Sequence, residues 1–268
     1  MSTIDSPDNP RVKAAGGLRE RDARISQGRT LVDGAREALR ALESGIEVDS
    51  AFVCPGLIRT PDAESAVKAL ADRAVPTVVV SERVHDRLAF GNRGDGIVLV
   101  MWTPPTSIDA LVIGPDPLIL VTEDVEKPGN LGAILRTADA TGCAAVIAIG
   151  GTDLFNPNVV RASVGTVFSV PLASTTAAEA IAWLGVRKIR PVAARVDAPI
   201  SYSAADLTGA VALILGSESD GLSAVWHDSL IEAVGIPMAG IADSLNVSVA
   251  AAVLAFESRR QRDARQSR

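Results

Sequence analysis

The sequence predicts an α/β protein whose strands are mostly parallel. Two observations support this prediction. From Arg29 onward, short β-branched runs alternate with amphipathic stretches of helical period. The apolar run Leu118–Glu123 is continuous, as in strands that are buried on both faces of a parallel sheet. With 268 residues, of which 47% are hydrophobic, the chain can form two domains with buried cores.

The N-terminal half shows the alternation of strand and helix on a small scale. Its strands are predicted at residues 30–34, 48–55, 76–82 and 94–101, and its helices at residues 35–45 and 63–73. Four prolines then fall within residues 102–117, which predicts a linker at residues 102–116. We therefore expect one domain at residues 1–101 and a second at residues 117–268.

The C-terminal half begins again with the strand Leu118–Glu123. Further strands are predicted at residues 144–150, 168–172, 189–195, 211–216 and 233–237. A helix is predicted to open after Asn130, which would serve as its N-cap, and another covers residues 175–186. A long final helix is expected from about Ser244, its predicted cap, to Arg262.

Composition excludes several classes of protein. No run reaches the roughly 18 to 20 apolar residues of a membrane helix, and the N-terminus lacks the apolar segment of a signal peptide, so a cytoplasmic location is expected. Cys54 and Cys143 lie singly in apolar runs without metal-ligand spacing, which indicates core residues. Neither a Rossmann G-x-G-x-x-G after a strand nor a P-loop motif occurs.

Basic residues concentrate near both ends of a chain whose net charge is −6. That charge disfavours indiscriminate binding of polyanions, which depends on clustered Lys and Arg. The N-terminal run consists of Arg11, Lys13, Arg19, Arg21, Arg24 and Arg29. This run fits a nucleic-acid-binding face as well as a solvated helix face, whereas the C-terminal run at residues 259–268 favours a solvated helix.

Three polar clusters follow predicted strands. Residues 126–136, 213–222 and 236–252 each run from a strand through a loop towards a helix, and the second contains Gly216 and Gly221. In open parallel sheets, ligands bind outside the carboxyl ends of the strands, where these clusters would meet. Each cluster alone is also typical of ordinary structure: a capped helix, a polar turn or a packed helix face. Together they predict a ligand site.

In this order the clusters resemble a known family. N-L-G-A-I-L-R (130–136), L-I-L-G-S-E-S-D-G-L (213–222) and I-P-M-A-G-I-A-D-S-L-N-V-S-V-A (236–250) are similar to the three motifs of the SpoU (TrmH-like) RNA ribose 2′-O-methyltransferases of the SPOUT superfamily. R-A-S-V-G (161–165) also resembles a family segment. N-P-R-V-K (9–13) and T-L-V-D-G-A-R-E-A (30–38) resemble the family's small substrate-binding domain, so the resemblance covers nearly the whole chain.

The resemblance implies a fold and a cofactor. The C-terminal domain would be a SPOUT-type parallel sheet with a deep trefoil knot, an exception to the rule against threaded chains. S-adenosylmethionine would bind in the knot without a metal. Its contacts would come largely from backbone groups of the loops around five residues: Leu215, Gly216, Ile236, Met238 and Leu245.

The resemblance also assigns catalytic roles. Arg136 matches the motif-one arginine, which would stabilise the developing alkoxide and fix the target phosphate, because an arginine loses its proton only in an unusually desolvated site. Asn130, Glu218 and Asn246, with Ser244, would orient Arg136 or the ribose. Asp243 stands where small or polar residues are usual in the family, which bears on substrate contacts and leaves the catalytic positions intact.

RNA and a second subunit are the partners that the resemblance implies. Arg161 would bind phosphate, and the residues Arg11, Lys13, Arg19 and Arg21 would line the RNA-binding surface of a homodimer. The N-terminal domain is similar to those of members that act on 23S rRNA, including antibiotic-resistance types. A tRNA methyltransferase and a non-catalytic knotted RNA-binding protein remain as alternatives. Housekeeping methylation and drug protection fit the motifs equally.

Overall fold

The structure is a computed structural model that describes residues 3–90, 94–228 and 231–266. The chain divides into two compact units. The first unit comprises residues 1–104 together with residues 153–169, and the second comprises residues 105–152 together with residues 170–268. The chain therefore crosses between the units three times.

The helices and strands of the described residues follow one another as the alternating sequence pattern predicts. The α-helices are α1 (Pro10–Gly17), α2 (Arg21–Gln27), α3 (Ala35–Glu43), α4 (Pro61–Asp72), α5 (Glu82–Leu88), α6 (Pro128–Thr141), α7 (Pro157–Ala162), α8 (Ala177–Val186) and α9 (Val247–Gln266). The strands are β1 (Arg29–Asp33), β2 (Val48–Val53), β3 (Thr77–Val79), β4 (Ile97–Trp102), β5 (Leu118–Glu123), β6 (Ala145–Ile149), β7 (Leu172–Thr175), β8 (Arg190–Ala194), β9 (Ile200–Ser201), β10 (Val211–Leu215) and β11 (Glu232–Gly235).

The first unit is built on a four-stranded sheet in the order β1-β4-β2-β3. β4 runs antiparallel to β1 and β2, whereas β2 and β3 are parallel. Every residue of β4 from Ile97 to Met101 is buried, so both faces of the sheet are covered. On one face, Val12 of α1 and Leu88 of α5 pack with Phe52 and Val100.

Residues 153–169 join the first unit through specific contacts. Asp153 accepts a hydrogen bond from Arg24 Nε at 2.8 Å, and Thr30 Oγ1 donates to the Phe155 carbonyl at 2.6 Å. A Cβ at Gly165, whose φ is +80°, would lie 3.2 Å from Glu37 Cα. These long-range contacts explain why a segment from the C-terminal half of the chain belongs to the first unit.

The second unit is built on a seven-stranded sheet in the order β7-β6-β5-β10-β8-β11-β9. Every strand pair in it is parallel. α8 packs on one face with Trp183 and Leu184 against Ile119 and Ile214. α6 and α9 pack against each other and contact β6, β5 and β10. The predicted α/β class with mostly parallel strands is confirmed.

Several details differ from the prediction. The strand expected at residues 168–172 begins at Leu172, because Thr166–Phe168 forms a 3₁₀ turn instead. α1 and α2, which precede Arg29, were not predicted. Cys54 and Cys143 are buried, as expected of core residues, and burial raises the pKa of the Cys143 thiol to about 11. Within the described ranges, no helix combines the length and apolarity needed to cross a bilayer.

Candidate active site

The three polar clusters lie at one edge of the second unit's sheet. β5, β10 and β11 belong to one parallel sheet, so the loops that follow them leave from the same carboxyl edge. The chain passes from β5 to its neighbour β6 on one side, and its other neighbour, β10, comes much later in the sequence. Such a switch in strand order leaves a crevice in which α/β proteins bind ligands.

Glu218 joins the three clusters through hydrogen bonds. Its Oε1 accepts from Asn130 Nδ2 at 2.6 Å and from Asn246 Nδ2 at 2.6 Å, and its Oε2 accepts from Lys127 Nζ at 2.5 Å. Asn246 Nδ2 also lies 3.3 Å from Asn130 Oδ1. The structure therefore brings together three of the predicted catalytic residues and adds Lys127, which the sequence analysis missed.

The electrostatics of this network keep Glu218 ionised. The hydrogen bond and the positive charge of Lys127 hold the pKa of Glu218 below its usual range, with a further contribution from Asn130, and outweigh desolvation. A carboxylate with a lowered pKa and both oxygens occupied by donors is a poor general base. Glu218 instead acts as an anchor that orients the two asparagine amides.

Asn130 does not cap α6, contrary to the prediction. The N-cap is Lys127 and Pro128 occupies the first helical position, where its missing N–H and fixed φ are favourable. Asn130 therefore lies in the first helical turn, with its backbone N–H donating to the Lys127 carbonyl. Its side chain, released from capping, reaches Glu218.

Asn246, rather than the predicted Ser244, caps α9. Its Oδ1 accepts hydrogen bonds from Ser248 N at 3.0 Å and from Ser248 Oγ at 2.7 Å. Because Oδ1 is committed to the helix end, Nδ2 must face Glu218. Capping and site geometry are thus fixed by one side chain. Ser244 is exposed and lies outside the network.

A tight loop carries Glu218. Ser217 and Gly221 exchange backbone hydrogen bonds of 3.0 and 3.2 Å, and Gly221 has a φ of +69°. A Cβ at Gly216 would lie 2.3 Å from the Gly221 carbonyl carbon and oxygen, so only glycine fits there.

The far end of this loop is fixed by Glu123, a second residue that the sequence analysis missed. Its buried carboxylate accepts from Ser223 N and from Ser223 Oγ, each at 2.8 Å. An acidic residue in the last position of a buried strand that begins with four apolar residues was the only local signal. This pairing ties the end of β5 to the loop that follows β10.

Arg136 lies outside the network. It is exposed, and it forms no hydrogen bond or ion pair with another residue of the described ranges. Arg136 follows Asn130 by six positions, which on an α-helix places the two side chains about 120° apart around the axis. The expected contact between Arg136 and Asn130, Glu218 or Asn246 is therefore absent from the described part of the chain.

The segment from Ile236 to Leu245 fits a cofactor that is bound through backbone groups. Between these residues, no backbone N–H or C=O pairs with another described group. Leu215 is buried, and Gly216, Ile236, Met238 and Leu245 are half-buried at the same edge of the sheet. Unpaired backbone donors and acceptors beside half-buried apolar side chains suit a ligand with polar edges and an apolar ring.

The predicted RNA-binding residues differ in availability within the first unit. Arg11 and Arg21 are exposed, whereas Lys13 pairs with Asp8 at 2.8 Å. Arg19 stacks on Phe90 at 4.4 Å and donates to the Leu88 carbonyl at the end of α5.

Arg161 forms an ion pair. Its Nη1 donates to Asp33 Oδ2 at 2.6 Å. Burial raises the pKa of Asp33, while the hydrogen bond from Phe90 N–H and the charge of Arg161 oppose that rise. Arg161 is one-quarter exposed, so its guanidinium is partly committed to the interior of the first unit.

The parallel sheet, the switch in strand order and the polar loops at its carboxyl edge define an α/β enzyme that binds its ligand at strand ends. A family model described as the SpoU rRNA Methylase family matches residues 117–256, and one described as the MRM3-like substrate binding domain matches residues 9–98. The chain belongs to the SpoU rRNA methylase family.

Relatives and solved structures agree with this assignment. A 23S rRNA (uridine(2479)-2′-O)-methyltransferase of Streptomyces viridochromogenes is 30% identical over 94% of each chain. A crystal structure of an RNA 2′-O ribose methyltransferase is 41% identical, with a TM-score of 0.85 over 97% of this chain and 99% of the other. An AdoMet-bound rRNA methyltransferase from Sinorhizobium meliloti is 27% identical, with a TM-score of 0.87 over 97% of each chain.

Proposed function

We propose that the protein transfers a methyl group from S-adenosylmethionine to a ribose 2′-hydroxyl of 23S rRNA. The observation that carries this proposal is the network in which Glu218 holds Asn130 and Asn246 at the carboxyl edge of the sheet. The three residues come from the three motifs that resemble the family. Likeness to an rRNA-acting relative over 94% of both chains supports 23S rRNA over tRNA.

Positioning supplies much of the catalysis. Methyl transfer requires the ribose oxygen, the methyl carbon and the sulfur in line, so small displacements are costly. We assign the ordering of the cofactor-side loops to Glu218, because it links the loops after β5, β10 and β11. Asn130 and Asn246, which Glu218 holds, then orient the ribose.

Arg136 acts on the RNA. Its guanidinium is exposed and uncommitted among the described residues, so it is available to a phosphate and to the negative charge that grows on the attacking oxygen. We assign Arg136 this stabilising role rather than that of a base, because an exposed arginine keeps its proton. As the bond from O2′ to the methyl carbon forms, the carbon–sulfur bond of the donor would break to leave a neutral thioether, and the hydroxyl proton would pass to solvent.

S-adenosylmethionine supplies the electrophilic methyl group when it is bound. We assign its contacts to backbone groups around Leu215, Gly216, Ile236, Met238 and Leu245, in the knot that the family resemblance implies. No group of three or more His, Cys, Asp or Glu side chains in the described residues is placed to hold a metal ion.

The N-terminal residues 1–101 are assigned as the RNA substrate-binding domain, joined by a linker at 102–116 to a methyltransferase domain at 117–268. Arg11, Lys13, Arg19 and Arg21 of this domain are proposed phosphate contacts, together with Arg161, which belongs to the same compact unit although it lies outside residues 1–101. The match of residues 9–98 to a substrate-binding family model supports this role. Action on ribosomal RNA makes the cytoplasm the expected location.

A homodimer is the proposed assembly. On α9, Val249 and Phe256 are 47% and 53% exposed, and they lie seven residues apart on one helix face. Val253 is half-buried between them. An apolar stripe of this spacing is typical of a helix that packs against a partner.

Transfer of labelled methyl groups to purified 23S rRNA, 16S rRNA and tRNA tests the proposed function. We expect label in 23S rRNA, and a loss of about 100-fold or more in Arg136→Ala. Arg187→Ala, which removes a surface arginine stacked on Trp183, is the matched control and should keep full activity. Label confined to tRNA would favour a tRNA methyltransferase. Cofactor and RNA binding without transfer would favour a non-catalytic RNA-binding protein.

A further inference from the structure

A cavity of about 300 Å³ opens in the first unit, and none of the residues assigned to methyl transfer lines it. Its apolar floor is formed by Leu18, Phe52, Val78 and Val100, with Ala14 and Ala15 of α1 along one wall. The remaining lining residues are polar groups at the mouth and one proline: Arg11, Gln27, Arg29, Asp49, Ser50 and Pro76. Its volume is at the lower end for sites that take small organic ligands.

The mouth of the cavity carries excess positive charge. Arg29 donates to Gln27 Oε1 at 2.6 Å and forms an ion pair with Asp49 at 3.3 Å. Arg11 is also a cation at the mouth, and its side chain has no partner among the described residues. Arg29 Nε is buried and has no hydrogen-bond partner in the described structure. An anion and a hydrogen-bond acceptor would satisfy these two groups.

An exposed aromatic ring contacts Arg29, one of the residues that line the cavity. Trp102 lies directly opposite Arg29 in the pairing of β1 with β4, so the two side chains share one face of the sheet. The Arg29 guanidinium lies 5.5 Å from the centre of the Trp102 ring, and Trp102 is 41% exposed. A flat cation stacked on a half-exposed indole forms a platform for a second flat group.

We propose that this cavity binds one unstacked base of the RNA substrate, with the adjoining phosphate at Arg11. A nucleobase combines apolar faces, which match the floor, with acceptor edges, which match Arg29 Nε. Sequence-specific RNA recognition commonly uses single-stranded bases that stack on aromatic rings or arginine planes. The inference rests on the proposed function, since it specifies how the substrate-binding unit holds RNA.

Charge favours RNA over a peptide or an uncharged metabolite. Two arginines and one carboxylate at the mouth leave a net positive charge, in a protein whose overall net charge is −6. Local positive charge on an acidic protein concentrates phosphate at that place. The cavity is too confined for a duplex, so an unpaired base is the form of RNA that fits.

Fluorescence anisotropy with an end-labelled single-stranded RNA hexamer tests the cavity on the full chain. Ala14→Phe fills the mouth from an exposed position on α1, and Ala71→Phe adds the same bulk at an exposed position on α4 outside the cavity. We expect Ala14→Phe and Trp102→Ala each to weaken hexamer binding about ten-fold, the effect of losing one stacked base. Ala71→Phe should bind as wild type does, and the hexamer annealed to its complement should bind weakly.

The same variants are then assayed for methyl transfer to 23S rRNA, where we expect Ala14→Phe to raise KM and leave kcat unchanged. Equal hexamer affinity of Ala14→Phe and Ala71→Phe, or equal binding of hexamer and duplex by wild type, would overturn the cavity proposal. Wild type that transfers no methyl to rRNA would instead overturn the proposed function. The hexamer assay needs neither cofactor nor methyl transfer, so failure of the cavity proposal can be distinguished from failure of the proposed function.

Discussion

Glu218 is the residue that joins the three polar loops at the sheet edge through hydrogen bonds. Its two oxygens accept from two asparagine amides and one lysine, and those donors come from the segments that follow β5 and β11. The lowered pKa of Glu218 means that the ionised network is present above its usual pKa near 4.5 and is lost as pH falls through its lower value in the folded protein. The network is therefore intact throughout the neutral range.

Glu218→Gln should lower kcat/KM about 100-fold. The glutamine keeps the shape of the side chain, but its NH₂ group would face another donor. The hydrogen bonds to the two asparagine amides or the one to Lys127 would therefore be lost. Methyl transfer to 23S rRNA measures the effect, and circular dichroism with thermal unfolding shows that the fold persists. Unchanged kcat/KM in this variant would contradict the anchoring role.

At the scale of the element, Asn246 serves α9 and the network at once, and two substitutions separate these roles. Asn246→Asp keeps an equally good N-cap but sets a carboxylate against Glu218. We expect unfolding close to wild type and a loss of activity of about 100-fold. Asn246→Ala should lose the cap as well, at a cost of about 1 kcal/mol in the free energy of unfolding.

Urea unfolding and methyl-transfer rates measure the two effects. Ser244 lies two positions before Asn246, and Ser244→Ala is the control for the capping role. This variant should leave the free energy of unfolding unchanged. An Asn246→Asp variant with wild-type activity would show that the amide of Asn246 is dispensable. If Ser244→Ala destabilised the protein, Ser244 rather than Asn246 would be the N-cap of α9.

The loop that carries Glu218 depends on Gly216. Gly216→Ala should destabilise the protein by about 1–3 kcal/mol and reduce activity, because its Cβ would collide with the backbone of Gly221 and displace the loop. Gly185→Ala in α8 is the matched control, since nothing lies within 4 Å of that Cβ. The control should be stabilised by about 0.5–1 kcal/mol. Thermal unfolding of both variants checks the contrast, and equal stability would count against the collision.

Local sequence patterns predicted the presence of strands and helices better than the residues at which they begin and end. The strands from β5 to β11 followed from apolar runs with two exceptions. β7 begins at Leu172, where the predicted strand ends, and the two-residue β9 is too short to give a period. Two cap assignments failed because Pro128 offers a competing helix start, and because Ser244 and Asn246 are both good capping residues.

Long-range partners left no local signal. The ion pair of Arg24 with Asp153 joins residues 129 positions apart, and Arg24 is therefore buried, although it belongs to the basic N-terminal run. The roles of Lys127 and Glu123 likewise depend on residues about 90 and 100 positions away. Residue identity and spacing predicted which loops meet at the sheet edge, but not which atoms pair there.

The proposed homodimer predicts the effect of a charge on α9. Phe256→Glu should convert the protein to a monomer, because burying an unpaired carboxylate in an apolar interface is unfavourable. Val186→Glu, at an 81% exposed position at the end of α8, is the control and should leave the mass unchanged. Analytical ultracentrifugation distinguishes these states. A wild-type protein that sediments as a monomer would contradict the assembly.

The proposed reaction at the carboxyl edge of the sheet is the methylation of a ribose oxygen of 23S rRNA. A methyl group at O2′ removes the nucleophile that alkali uses to cleave the RNA chain. Alkaline hydrolysis of 23S rRNA labelled by the wild-type enzyme tests this claim most directly. We expect label in a dinucleotide that resists alkali, from a single position, and no such label with Arg136→Ala. Label recovered as a mononucleotide with a methylated base would contradict it.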